Sequence, residues 1–186
     1  MAVAVIPLAG CGDDEPADGL TRLGGGPLVE FTSLNDEVVL RHPRGWVARS
    51  GLSPLVAQVA TGGAQVSIFA YPRTDIPESE SEVEEARDKL IRSLGERAPG
   101  FLIVRTRIGE VDGAPSVEIR GRGVVAGMPV ETRSVHVYKD EVEWVVDAFA
   151  RPSQFDRANR IGFGPLIASL QLSDRVESDP QPGETG

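Results

Sequence analysis

Apolar and polar residues alternate with a period of two through most of the chain, and one stretch switches to a helical period. Val29-Glu30-Phe31-Thr32 and Val38-Val39-Leu40-Arg41 read as short strands around a turn at Asn35-Asp36. His42-Pro43-Arg44-Gly45 makes another turn, after which Trp46-Val47-Ala48 re-enters a strand with Trp46 aimed at the core. Residues 55–60 and 66–71 predict a hairpin through Thr61-Gly62-Gly63. Its second arm puts Val66, Ile68 and Ala70 on one face and Ser67, Phe69 and Tyr71 on the other. The spacing of Val83, Ala86, Leu90 and Leu94 predicts a helix from Ser79 to Leu94. Ser79 or Ser81 caps it, Glu80, Glu82, Glu84 and Glu85 suit the positive end of its dipole, and Gly95 with Pro99-Gly100 ends it. Four strands follow: Phe101 to Ile108, Ser116 to Val125, Val130 to Tyr138, and Val142 to Ala150. Their connections are short, which implies antiparallel pairing. The last strand is apolar on both faces, as a strand covered on both sides must be. Pro152-Ser153 opens a helical region that Gly162, Gly164 and Pro165 are expected to break into two short helices.

The N-terminal end follows a different pattern. An apolar run, Ala2-Val3-Ala4-Val5-Ile6-Pro7, leads into Leu8-Ala9-Gly10-Cys11. Leucine, two small residues and a cysteine resemble the lipobox of bacterial lipoproteins, in which the cysteine sulfur takes a diacylglyceryl group and cleavage leaves that cysteine as the N-terminus. The apolar run is short and carries no Lys or Arg, so a start further upstream is expected. The rival reading makes residues 2–8 a buried strand and Cys11 a core thiol. The acidic, turn-rich stretch from Gly12 to Gly19 argues for a solvated tether instead. The organisation expected is a signal peptide over 1–10, a tether over 11–27, one α+β domain over 28–172, and an acidic tail over 173–186.

Charge narrows the partners. The net charge of −9 and the absence of a basic stripe disfavour nucleic acid and anionic lipid surfaces. With one cysteine there is no intramolecular disulfide, so the domain rests on its core. Nothing after Cys11 approaches the ~20 apolar residues of a membrane-spanning helix.

The tether, His42-Pro43-Arg44-Gly45-Trp46, the hairpin ending Ala64-Gln65-Val66-Ser67-Ile68-Phe69-Ala70-Tyr71-Pro72, the single long helix, the meander and the closing Ile167-Ala168-Ser169-Leu170 together resemble the PsbP-like fold, over residues 36–172. That fold groups photosynthetic PsbP proteins, a eukaryotic Ran-binding protein and many bacterial lipoproteins. The resemblance implies an α+β domain: a central antiparallel sheet of about six to seven strands with helices on both faces. It implies little about function, because one fold hosts many activities.

Candidate chemistry is sparse. His42 and His136 lie far apart in sequence and neither has ligand spacing, so no metal site is read and no cofactor is expected. No serine sits in a nucleophile elbow, and Gly24-Gly25-Gly26 lacks the Lys-Ser/Thr of a phosphate loop. No catalytic residue is assigned. The acidic run from Glu78 to Asp88 is a solvated helix face. Arg105, Arg107, Arg120, Arg122 and Arg133 lie on successive strands and interleave with Glu118 and Glu131. They read either as cross-strand ion pairs or as a basic surface for an anionic ligand or partner. Trp46, Tyr71 and Trp144 either line a cleft or fill the core. The leading functional reading is a lipid-anchored, extracytoplasmic binding or accessory module of the cell envelope, monomeric and non-enzymatic. It meets the membrane through a lipid on Cys11 and engages an envelope protein or small ligand. The alternative is a carrier that holds an apolar small molecule between sheet and helix. An enzyme would require His136 and a carboxylate to converge in a cleft.

Overall fold

A computed structural model of the protein describes residues 23–173. Cys11, the expected signal peptide over 1–10, most of the expected tether and the expected acidic tail beyond Ser173 lie outside the described residues. Ten strands and three α-helices follow in chain order: β1 (Leu28–Thr32), β2 (Val38–Pro43), β3 (Val47–Ser50), β4 (Leu55–Thr61), β5 (Ala64–Pro72), α1 (Glu80–Arg97), β6 (Leu102–Val111), β7 (Ala114–Val125), β8 (Met128–Lys139), β9 (Val142–Ala150), α2 (Pro152–Ala158), α3 (Gly164–Ala168) and β10 (Gln171–Leu172). Seven strands form one antiparallel sheet in the order β3-β4-β5-β9-β8-β7-β6. The expected α+β class with a central antiparallel sheet therefore holds. β1 and β2 are a hairpin, as the alternation predicts, but they stand apart from the main sheet. With β10 they make a three-stranded sheet of their own.

The order of the strands follows from the connections. The link from β5 is α1, which carries the chain to the far edge at β6. From there each turn is too short to do anything but reverse the chain, so β7, β8 and β9 return strand by strand until β9 pairs with β5. Asp112-Gly113, Ala126-Gly127 and Asp140-Glu141 make the three turns, each with both residues at positive φ. That handedness suits the twist of the strands it joins.

α1 starts where its cap dictates. The Ser79 hydroxyl accepts from the Glu82 amide, and the Glu82 carboxylate accepts from the Ser79 amide at 2.9 Å, closing a capping box. The Glu78 amide donates to the same carboxylate, and these hydrogen bonds hold Glu82 below the usual carboxylate range. At the other end the helix runs through Gly95 to Arg97, past the expected stop. Of its apolar stripe only Val83 is fully buried. Ala86, Leu90 and Leu94 are half-buried against Val117, Ile119 and Tyr138. α1 thus covers one face of β6 and β7.

The opposite face of the sheet is closed by the chain after β9. Here the structure departs from the expected break. α2, a π-helical turn over Asn159–Phe163 and α3 form one continuous helical segment. Gly162 is a point of close approach within it. A Cβ at 162 would fall under 3.0 Å from Cη2 and Cζ2 of Trp46. Trp46 meets Phe163 edge-on at 5.8 Å, and Phe163 meets Phe155 at 5.7 Å. Trp144, Phe155, Phe163 and Leu166 are fully buried at this interface. Leu23, expected within the tether, is 3% exposed and belongs to the same core. The packed domain therefore begins upstream of Leu28, because an apolar side chain there has a core to enter.

Gly162→Ala should destabilise the domain by roughly 1–3 kcal/mol, the cost of overpacking a filled core. Denaturant unfolding measures it, and Gly162→Ala combined with Trp46→Phe should recover part of the loss. Ser79→Ala should cost about 1 kcal/mol through loss of the cap, seen as a lower unfolding midpoint with an unchanged slope. A midpoint equal to that of the parent would contradict the capping assignment.

Candidate functional site

Strand alternation sends Glu118, Arg120 and Arg122 of β7, and Glu131 and Arg133 of β8, to the face that carries α2 and α3. Register sets Arg122 opposite Glu131 and Arg120 opposite Arg133. The two like charges do not confront each other, because each guanidinium turns to a different carboxylate. Arg120 reaches Glu131 at 2.6 Å and Asp156 of α2 at 2.8 Å, and lies 4.5 Å above the Phe155 ring. Burial pushes the Arg120 guanidinium down, and Glu131 and Asp156 more than reverse it, so its pKa is raised. Arg122 reaches the other oxygen of Glu131 at 3.2 Å. Arg133 donates twice to Glu118, at 3.0 and 2.7 Å, and once to Asn159 at 2.9 Å. Arg120 and Arg133 fasten the helical segment to the sheet, and Arg122 ties β7 to β8. Arg105 and Arg107 differ: both are exposed on β6, and neither forms an ion pair with a described residue.

The aromatic half of the expected surface does not assemble. Trp46 is 3% exposed and sits under Gly162, so it is a core residue and presents no binding surface. Tyr71 lies on the opposite face of the main sheet, half-buried and stacked on Phe69 at 6.2 Å. One cleft cannot contain both.

Beside the fastened segment lies an open groove of about 270 Å³ between β6–β8 and α3. Arg107 and the Glu118–Arg133 pair line it, together with Ser116, Val135 and Ile167. Ser116 carried no sequence signal, since one serine in an alternating strand is unremarked. Among the described residues this groove joins a cationic side chain without a carboxylate to apolar side chains.

The other face of the sheet carries a chain of polar contacts. Arg73 donates to Glu143 at 2.8 Å through Nε, and also through Nη2. The second oxygen of Glu143 meets His136 Nδ1 at 2.7 Å. His136 Nε2 lies 3.3 Å from Ser134 Oγ, and Ser134 donates to Asp147 at 2.6 Å. Burial pushes the Glu143 carboxyl up, but His136 and Arg73 outweigh it and hold it below the usual range. Burial also raises the Tyr138 hydroxyl, with Glu143 adding to the effect. His136 and a carboxylate thus converge, as an enzyme reading requires, and Ser134 completes a serine-histidine-glutamate line. Ser134 gives its only hydrogen to Asp147, however, so the histidine has no serine proton to take. The arrangement joins β8, β9 and the residue that follows β5, and is built as a structural network. His42, on the small sheet, turns Nδ1 to the Pro43 carbonyl at 3.0 Å.

Comparison with known proteins bears on the fold. No family model matches the chain, and no curated protein does. Solved structures do. The cyanobacterial PsbP protein CyanoP of Synechocystis sp. PCC 6803 is similar at a TM-score of 0.57 and 12% identity, over 90% of this chain and 99% of that one. The Saccharomyces cerevisiae Ran-binding protein Mog1p aligns at 0.54 and 7% identity, over 80% of this chain and 97% of its own. LpqN, involved in cell envelope biogenesis of Mycobacterium tuberculosis, aligns at 0.53 and 12% identity, over 79% and 91%. With its seven-stranded antiparallel sheet and its helices on both faces, the domain has the PsbP-like α+β fold.

Proposed function

We propose that this protein is a lipid-anchored, extracytoplasmic binding or accessory module of the cell envelope, with no catalytic role. The observation that carries the reading is Leu8-Ala9-Gly10-Cys11, placed ahead of a domain whose described core is complete from Leu23 onward. A diacylglyceryl group on Cys11 would supply two chains at about 0.8 kcal/mol per buried CH₂, enough for stable attachment. The acidic stretch after Cys11 would hold the domain away from the surface. The fold is shared with LpqN, a protein involved in cell envelope biogenesis, and with CyanoP, and this likeness supports an envelope setting. The net charge of −9 favours a protein or small-molecule partner over nucleic acid.

The chemistry of the domain supports binding over catalysis. The serine and histidine that meet on the sheet are engaged with Asp147 and Glu143. The alternative of an enclosed apolar carrier is disfavoured, because Trp144, Phe155, Phe163 and Leu166 fill the sheet–helix interface. Space for a ligand among the described residues lies at the groove beside α3, which is open and partly charged.

Cys11→Ala should shift the protein from the membrane fraction to the soluble extracytoplasmic fraction, and should abolish incorporation of labelled fatty acid. An unchanged distribution between fractions would overturn the anchor.

A further inference from the structure

The groove beside α3 holds two polar groups that the fold leaves unused. Arg107 is exposed and forms no ion pair with a described residue, while its cross-strand neighbour Glu118 is already bound twice by Arg133. Ser116 is 4% exposed and lines the groove, yet its hydroxyl has no hydrogen-bond partner among the described residues. The hydroxyl opens to the groove, where a ligand oxygen can accept its hydrogen. Gly109, the register partner of Ser116, explains why the hydroxyl stays open. A Cβ at 109 would stand 3.9 Å from Ser116 Oγ, and any longer side chain would cover it. The rest of the lining is mixed: Val111, Val135, Ile167 and Ala168 are apolar, while Glu110, Asp112 and the Glu118–Arg133 pair are charged.

We propose that this groove binds a small monocarboxylate with a short apolar chain. The Arg107 guanidinium takes the carboxylate as a charge-assisted pair. Ser116 donates a hydrogen bond to it, and the chain lies along Val135 and Ile167. Arg107 and Ser116 stand on adjacent strands at diagonal positions, a separation of about 7–8 Å between backbones that a guanidinium spans. The volume of about 270 Å³ restricts the ligand to a short chain. Asp112 at the same rim is paired with Lys139 at 3.0 Å, and Glu110, on an acidic protein, works against a second negative charge once Arg107 has taken the first. The proposal rests on the domain being a binding module and names what it binds; it does not depend on the anchor.

The test uses the full chain and follows amide resonances during titration with hexanoate. Saturable shifts are expected at Gly109, Ser116 and Ala168. Hexan-1-ol, which lacks the charge, and adipate, which doubles it, should each bind at least about ten-fold more weakly than hexanoate. Arg107→Gln should weaken hexanoate by a similar factor, and Gly109→Leu should abolish the shifts. Both side chains are added or removed at an open edge strand, so the remaining resonances should stay in place. If a variant fails to fold, the three-ligand comparison on the parent protein still decides the matter. Hexanoate that causes no saturable shift, or that binds no better than hexan-1-ol, overturns the proposal. That failure beside a membrane-released Cys11→Ala variant would remove the ligand alone. Saturable hexanoate binding beside an unreleased variant would remove the anchor alone.

Discussion

The contact between the Trp46 indole and the bare backbone of Gly162 is the constraint on which the rest of the domain depends. A sheet with an apolar face must be closed, and α2, the π-helical turn and α3 close it. They lie flat on the sheet only because residue 162 has no side chain where the indole passes. Phe163 meets the tryptophan edge-on, Phe155 meets Phe163 in the same way, and Trp144 is fully buried in the same core. Trp46 and Trp144 bury their indole N–H groups with no hydrogen-bond partner among the described residues. Each omission costs about 1–3 kcal/mol. That the domain tolerates both shows packing outweighing hydrogen bonding at this interface.

A core filled in this way pushes chemistry to its margins. On one face Arg120, Arg122 and Arg133 act as ties, and their carboxylates are taken. On the other face Glu143 gathers Arg73 and His136 into a network that joins strands. Among the described residues, the open space lies where α3 meets β6, β7 and β8, at the edge where no further described strand pairs with β6. A binding module built on this fold has its ligand space at an edge, not in its interior.

Period-two alternation and turn chemistry made the meander legible in the sequence, and Ser79 with Glu82 marked the start of α1. The C-terminal segment was not legible, because Gly162 and Pro165 look like breakers when read locally. The role of Gly162 depends on Trp46, distant in sequence, so no window around residue 162 contains the reason. Leu23 was hidden by its polar and glycine-rich surroundings. The arginine–glutamate interleaving correctly foreshadowed ion pairs, but it could not say which arginines would lack one. That depends on register: Glu131 faces Arg122, and Arg133 takes Glu118 away from Arg107. Trp46 and Tyr71 looked like partners until parity along β5 put them on opposite faces of the sheet.

The chain has two tryptophans, and both report on the interface whose closure organises everything else. Tryptophan fluorescence of the folded protein, read during acrylamide quenching and then during addition of an apolar dye, is the most direct test. Closure predicts blue-shifted emission, weak quenching, and no change in either with the dye. Strong quenching, or emission that shifts as the dye binds, would mean that the sheet–helix interface opens and would contradict the account.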